Sequence, residues 1–199
     1  NIVPASTINA MSFEQYSQFL DGHELSDDVE GTAMVKRAGR RIQRAVEEYF
    51  AANGMSDHLE GYDWEFNLIE SDQVNAWCMP GGKVAFYTGI LPICQGEAGV
   101  AVVMGHEVGH VTARHSASQM SSQQLMSLGM GIGMVAVPEL RRYGDLAQLG
   151  LGLLFLKFGR DDENEADTLG LRYSRRLGYD AVEGAEAFRM LDQLSAQSE

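Results

Sequence analysis

His106 and His110 are the strongest constraint on the fold, because they lie four residues apart in the sequence HEVGH at positions 106–110. On an α-helix this spacing puts both imidazoles on one face, where they can bind a single metal ion. Glu107, next to the first histidine, is placed to take a proton from a water molecule. Two histidines leave a tetrahedral metal short of a third protein ligand, so a second segment must fold against this helix.

The apolar run Ala101–Met104 leads directly into the motif and indicates a buried helix. Such a string can also occur by chance on a surface helix, but two histidines and a glutamate on a buried one would be costly without partners. Gly105 and Gly109 each weaken the helix by roughly 1 kcal/mol relative to alanine. We therefore expect another helix or a substrate backbone to come close at these glycines.

The third ligand does not follow the motif at the spacing of a metzincin, which would need glycine at 113 and histidine at 116. This chain has Ala113 and Ser116 instead. His115 is one residue short of that register and is expected to pack or form a hydrogen bond nearby. A distant carboxylate is therefore the expected third ligand.

Residues 163–167, with the sequence ENEAD, offer that carboxylate. Glu163 and Asp167 are four residues apart and share a helix face, so Glu163 can reach the metal while Asp167 accepts the free ring N–H of a ligand histidine. Glu165 lies about 160° away around the helix and is expected in solvent. The alternative is an acidic helix N-terminus that only complements the helix dipole.

Composition limits the function classes. The chain has 199 residues, 45% of them apolar, which is enough for one domain. A net charge of −13 argues against nucleic acid as a partner, and it disfavours electrostatic docking on anionic lipid. Cys78 and Cys94 match no zinc-ligand spacing and are expected to be buried free thiols, with a disulfide in an oxidising compartment as the alternative.

Hydrophobic periodicity and turn residues predict helices separated by a small sheet. The predicted helices span 11–20, 27 or 28 to 50, 96–119, 161 or 162 to 177, and 181–194; the predicted strands span 62–70, 74–78 and 84–87. Met79-Pro80-Gly81-Gly82-Lys83 predicts a hairpin near a sheet edge, since proline cannot donate to a ladder. The expected fold is thus an α+β domain.

Two apolar segments, 125–137 and 146–158, are each thirteen residues long, shorter than the ~20 residues that span a bilayer. Charged residues separate them, so they cannot join into one span. We expect core helices or helices that cover the active site, with a hairpin that docks on a membrane or a partner as the alternative. The chain begins at Asn1 without an initiator methionine or signal peptide and is expected to be a mature or trimmed product.

Four sequence segments together resemble the gluzincin metallopeptidase family that includes HtpX, BepA, LoiP and the CAAX prenyl proteases. They are NAWCMPGGK at 75–83 followed by YTGIL at 87–91, VMGHEVGH at 103–110 with Arg114 and His115, FGR at 158–160 leading into Glu163, Asp167 and Gly170, and LGYD at 177–180. The resemblance covers roughly residues 27–195.

The resemblance implies an α+β, zincin-like single domain, mostly helical, with a small sheet whose edge strand faces the active-site cleft. It implies one Zn²⁺ per chain held by His106, His110 and Glu163, with Glu107 as general base and Asp167 supporting a ligand histidine. The expected activity is endopeptidase cleavage of extended, misfolded or unassembled envelope proteins. The substrate is expected to be a protein or peptide that pairs as an added strand with Asn75, Ala76, Trp77 and Cys78.

Residues 1–26 are expected to form an N-terminal segment with a short helix, and 27–199 the metallopeptidase domain. Family members with several membrane spans differ from this chain, in which we find no transmembrane segment. It is more similar to the soluble periplasmic or lipoprotein-anchored branch and to the catalytic domain of mitochondrial inner-membrane relatives. We therefore expect the bacterial periplasm or the outer membrane, with no nucleic acid partner and possible membrane association through 125–158.

One departure from the family concerns a later His-Pro segment followed by an arginine. Neither occurs up to Glu199. The activity of these 199 residues must therefore be compared with that of a longer chain. The alternative function is a chaperone-like binding or assembly factor with a latent or plugged zinc site. The sequence indicates no oligomeric state.

Overall fold

The computed structural model describes residues 4–114 and 160–179, together with the isolated residues 182, 186 and 189. Its helices are α1 (Ala5–Asp21), α2 (Val29–Ala52), α3 (Leu91–Cys94), α4 (Glu97–Thr112) and α5 (Arg160–Arg176), and its strands are β1 (Glu65–Ile69), β2 (Ala76–Met79) and β3 (Lys83–Tyr87). Short 3-10 turns at Ser56–Leu59 and Thr88–Ile90 complete the described elements. The predicted α+β, mostly helical fold is confirmed.

The three strands form one mixed sheet in the order β1-β3-β2. β3 lies in the middle, parallel to β1 and antiparallel to β2, with Trp77 opposite Ala85. The predicted hairpin joins β2 to β3: Gly82 N donates to Met79 O at 3.2 Å. Gly81 and Gly82 take φ angles of 83° and 85°, a region that glycine enters without steric cost.

The two edges of this sheet differ. Residues 24–26 run beside β1, where Ser26 N donates to Leu68 O at 2.9 Å and Glu70 N donates to Glu24 O at 2.8 Å. Within residues 4–114 and 160–179, no backbone hydrogen bond reaches the outer edge of β2. β2 is therefore the edge at which another extended chain can pair.

Helices cover both faces of the sheet. A large core joins one face to α2, α4 and α5, and its fully buried members include Val35, Ile42, Val84, Met104 and Tyr173. A smaller cluster joins the other face to α1 through Ile8, Tyr16, Phe19, Met79 and Ala85. The sheet thus holds α4, the motif helix, against the open strand β2. The boundary expected between residues 26 and 27 stays a prediction.

The predicted start of α2 is confirmed at its N-terminal cap. The Asp28 carboxylate accepts a hydrogen bond from Gly31 N at 2.9 Å, which satisfies one of the free N–H groups of the first turn. Apolar residues at helical spacing form its buried face, which includes Val35, Ala38, Ile42 and Ala45. Both the cap and the buried face of α2 therefore follow from the sequence of this helix alone.

Two predicted helix boundaries were wrong. α1 begins at Ala5 rather than Met11, because Pro4 supplies an extended N-cap position and Ile8 and Asn9 are buried against the sheet. α4 ends at Thr112 rather than near 119, and Arg114 takes a φ of 60°, which a right-handed helix cannot accommodate. The elements predicted at 125–137 and 146–158, and His115, lie outside the described residues, and so does the helix predicted at 181–194 except for residues 182, 186 and 189.

Both cysteines are free thiols, as predicted, and Cys94 is buried; Cys78 is only half-buried because it lies on the edge strand β2. Among the described residues no single helix has the length and hydropathy of a membrane span. Thr88–Cys94 and Glu97–Thr112 reach those values only as a pair, and the pair is bent by 115°.

Candidate metal centre

Small residues bring α4 and α5 into backbone contact. A Cβ atom on Gly109 would lie 2.8 Å from Ala166 O, and one on Gly170 would lie 2.7 Å from His106 N. A Cβ on Gly105 would meet Gly170 O at 3.0 Å. These glycines weaken the helices that contain them, and the expected reason, close approach of another helix, is confirmed. The contact places the first turn of α5 beside the histidines of α4.

Replacing Gly170 with alanine is expected to separate the helices and weaken metal binding. The added methyl group meets backbone rather than a flexible side chain, and overpacking of this kind costs about 1–3 kcal/mol. Alanine recovers about 1 kcal/mol of helix propensity, so zinc affinity is a clearer measurement than unfolding free energy. Thr168→Ala, on the exposed side of α5, is the control; unchanged zinc affinity in Gly170→Ala would contradict the proposed role of the contact.

Three donor atoms converge where the two helices meet. His106 Nε2 lies 3.2 Å from His110 Nε2 and 3.3 Å from Glu163 Oε2, and His110 Nε2 lies 3.5 Å from the same oxygen. In a tetrahedral zinc site with bonds of 2.0–2.1 Å, neighbouring ligand atoms are roughly 3.3–3.4 Å apart. The triangle formed by these side chains therefore fits one zinc ion.

Asp167 lies behind the first ligand. Its Oδ1 accepts a hydrogen bond from His106 Nδ1 at 2.8 Å. With Nδ1 protonated, the lone pair of the neutral imidazole is on Nε2, the atom that faces His110 and Glu163. The structure thus places Asp167 where the sequence predicted a support for a ligand histidine. Glu165 is exposed, also as expected.

Charge interactions in the site follow from this proximity. Burial lowers the pKa of His106, but the hydrogen bond to Glu163 and the nearby carboxylates of Glu107 and Asp167 outweigh it and raise the pKa to about 9. The same hydrogen bond lowers the pKa of Glu163. A metal ligand must be a neutral imidazole or an ionised carboxylate, so a metal ion bound here would require His106 in its neutral form.

Glu107 lies on the side of α4 that faces β2. Burial raises the pKa of this carboxylate to about 7, with His106 opposing and Glu163 adding to the shift. Burial, and then the Glu107 charge, raise the pKa of the Cys78 thiol well above its usual value. The candidate general base is therefore close enough to both His106 and the open strand to interact electrostatically with each of them.

The four residues of the predicted substrate strand have different orientations. Tyr87 N donates to Asn75 O at 3.1 Å, so the backbone groups of Asn75 and Trp77 point to β3, and those of Ala76 and Cys78 point outward. The Trp77 side chain packs against Phe19 of α1, on the face away from α4. Only Ala76 and Cys78 offer outward backbone groups for a substrate.

One histidine proved more important than its sequence context indicated. His58 stands in a polar stretch of the sequence and belongs to no motif, but its Nε2 donates to Thr112 O, at the last residue of α4, at 2.6 Å. Its ring stacks on Phe50 with a centroid distance of 4.6 Å, and burial lowers its pKa. No spacing signal links His58 to α4, because they meet only in the tertiary fold. His23, just after α1, is exposed.

Comparison of the sequence with those of known proteins finds a matching family and several relatives. The sequence profile described as peptidase family M48 matches residues 36–195. The mitochondrial metalloendopeptidase OMA1 of Schizosaccharomyces pombe is 35% identical over 158 residues, which are 78% of this chain and 44% of that protein. The β-barrel assembly-enhancing protease of Escherichia coli is 32% identical over 127 residues, 59% of this chain and 26% of that protein.

A further relative, the metalloprotease YcaL of Escherichia coli, is 26% identical over 132 residues, 64% of this chain and 50% of that protein. The chain therefore spans half or less of the length of these curated relatives. The matched residues include α4 and α5, which carry the metal-ligating triangle.

Proposed function

The chain belongs to peptidase family M48, and from that premise we propose that it is a zinc-dependent endopeptidase. The observation that carries the proposal is the convergence of His106, His110 and Glu163 beside Glu107, next to a strand with an open edge. Each component is available for hydrolysis of a backbone amide: a metal site, a base and a place for an extended chain.

A zinc ion bound here would polarise the scissile carbonyl and make water a better nucleophile at neutral pH. His106, His110 and Glu163 would hold it, and Asp167 would keep His106 in the tautomer that binds. Glu107 would accept a proton from the attacking water and transfer it to the leaving amine nitrogen.

The substrate would bind as an added strand on β2. The outward backbone groups of Ala76 and Cys78 can form main-chain hydrogen bonds with any extended peptide, whatever its side chains. Glu107 acts on the pKa of Cys78 from α4, so a peptide paired with this strand would pass beside the base. Strand pairing thus aligns a scissile bond without requiring a particular sequence.

Replacing Cys78 with proline is expected to weaken peptide binding, because proline removes the outward N–H at the centre of this edge. The ladder to β3 uses Trp77 and not Cys78, so the hairpin can remain paired. We expect KM for casein to rise by about tenfold, the effect of roughly one net hydrogen bond and a restricted backbone. Cys78→Ala, which retains the N–H, is the control; equal KM values in the two variants would contradict strand pairing.

Zinc content and casein cleavage, measured on this chain and on a longer one, test the proposed activity. We expect about one zinc per chain in both, and cleavage that a chelator abolishes and zinc restores. If both the shorter and the longer chain bind zinc but neither cleaves casein, the endopeptidase assignment is contradicted.

We assign the substrates to extended, misfolded or unassembled envelope proteins, and the protein to the bacterial periplasm or the outer membrane, as a lipoprotein or a free domain. The similarity to bacterial relatives, one of them named for β-barrel assembly, supports this assignment. The mitochondrial name of the OMA1 relatives points to another compartment. Fractionation of the native host decides between the two.

A binding role without cleavage is the second candidate, and the open edge of β2 favours it. An edge strand can hold an unfolded chain whether or not Glu107 acts. Suppression of aggregation that persists in Glu107→Gln would support this role. If Glu107→Gln loses both cleavage and the suppression of aggregation, the binding role is excluded and the peptidase role remains.

A further inference from the structure

Basic residues are concentrated on one side of this acidic protein. Eight of its fifteen lysines and arginines lie on the solvent side of α2 and the last turns of α5. We name this surface the basic face; it consists of Lys36, Arg37, Arg40, Arg41, Arg44, Arg172, Arg175 and Arg176. Without these eight positive charges the net charge of −13 would be −21, so the basic face differs strongly in charge from the rest of the sequence.

The α2 part of the basic face is a continuous stripe. At 100° per residue, its five basic positions fall within an arc of about 140°, opposite the buried residues of that helix. All five residues are exposed. Between residues 36 and 44, one side of α2 therefore packs against the core, and the opposite, solvent-exposed side carries only basic residues.

Contacts between α2 and α5 make the two parts contiguous. Arg172 donates to Tyr49 OH at 3.4 Å, and Arg176 pairs with Glu48 at 3.4 Å. Arg41 donates to the carbonyl of Leu177, just after α5, at 3.0 Å. A cleft of about 400 Å³ lies here, with Tyr49 and Tyr173 among its walls and three arginines around it.

Several of these cations have no ion-pair partner among the described residues. Arg37 and Arg41 pair with Glu97, and Arg176 pairs with Glu48. For Lys36, Arg40, Arg44, Arg172 and Arg175 the described residues provide no acidic group within 4.0 Å. Five charges without an ion-pair partner, spread over two helices, match an array of anions better than one small anion.

We propose that the basic face docks this domain on an anionic phospholipid surface. A cluster of four to eight lysines and arginines on an exposed helix face is sufficient for such binding. The acidic remainder opposes it only weakly, because charges beyond about 8 Å are screened at physiological ionic strength. The proposal differs from the expectation drawn from net charge, because the net charge does not describe how the charges are distributed over the surface.

The proposed orientation leaves the metal centre accessible. Glu163 and Arg172 are nine residues apart on α5, about 14 Å along its axis. Docking through the basic face would therefore hold the candidate active site away from the headgroups. It also means that the surface can be altered without touching the metal ligands.

Vesicle co-sedimentation of the full chain tests the proposal. We expect binding to phosphatidylcholine vesicles that contain phosphatidylglycerol, little binding to phosphatidylcholine alone, and weakening with salt. Each exposed cation contributes about fivefold to such partitioning, so Lys36→Gln with Arg40→Gln and Arg44→Gln is expected to reduce binding by about a hundredfold. The control is Ser6→Glu with Ala10→Glu and Ser17→Glu, exposed positions on α1 that lower the net charge by the same three units.

Three outcomes would overturn the proposal: equal binding to neutral vesicles, full binding by the α2 triple variant, or equal losses in both triple variants. Tighter binding of soluble polyglutamate than of the vesicles would assign the basic face to an acidic protein instead. Casein cleavage by the α2 triple variant should equal that of the parent chain. Failure of lipid docking and failure of the peptidase assignment are therefore separate results.

Discussion

Glu107→Gln is expected to bind zinc as the parent chain does and to lose casein cleavage by about a hundredfold to ten-thousandfold. That range is the usual contribution of a general base. The amide has nearly the same shape as the carboxylate but cannot accept the proton, whereas His106, His110 and Glu163 are unchanged. Steady-state cleavage and zinc content, measured on the same preparation, give both halves of the result.

Folding provides the control for this variant. Burial raises the pKa of Glu107 to about 7, so its charged form is disfavoured in the protein and a neutral amide should not reduce stability. We expect the melting temperature to stay the same or rise, and Glu60→Gln, at an exposed position, to change nothing. Full cleavage by Glu107→Gln would exclude the proposed mechanism.

Glu163→Gln is expected to lose both zinc and activity. Its Oε2 completes the triangle with the two imidazoles, and an uncharged amide is a poor replacement for a carboxylate on a divalent cation. Asp167→Asn should be milder, since partners behind a ligand usually change metal affinity by about ten- to hundredfold. Competition with a zinc chelator measures all of these affinities on one scale.

Glu165→Gln is the matched control, because it removes the same charge from the same turn of α5 but from an exposed position. If the acidic segment only complemented the helix dipole, Glu163→Gln and Glu165→Gln would behave alike. Equal zinc affinity in the two variants would therefore restore that alternative. A loss confined to Glu163→Gln assigns the ligand.

The sequence predicted which side chains converge better than it predicted the limits of the helices. The spacing between His106 and His110, and that between Glu163 and Asp167, is a property of one helix each, so their shared faces could be derived locally. The meeting of the two helices was inferred from a missing ligand, and the glycines at 105 and 109 were compatible with it. The N-terminal cap formed by Asp28 could likewise be derived from the sequence around it.

What the sequence did not reveal depends on tertiary contacts. The early start of α1 follows from burial of Ile8 and Asn9 against a sheet that lies far along the chain. His58 meets Thr112 across 54 residues, and no periodicity in either segment indicates that contact. The basic face was hidden by the net charge, because its cationic residues come from two helices that are distant in sequence.

The backbone contact between α4 and α5 has a consequence for folding. His110 and Glu163 are 53 residues apart in sequence, and the close backbone contacts at Gly105, Gly109 and Gly170 bring them together. A bound zinc ion would then cross-link two distant segments, and native-state binding stabilises a fold by RT ln(1 + [L]/Kd). Zinc would thus stabilise the fold as well as serve the reaction. The midpoint temperature of thermal unfolding would then rise with the concentration of free zinc.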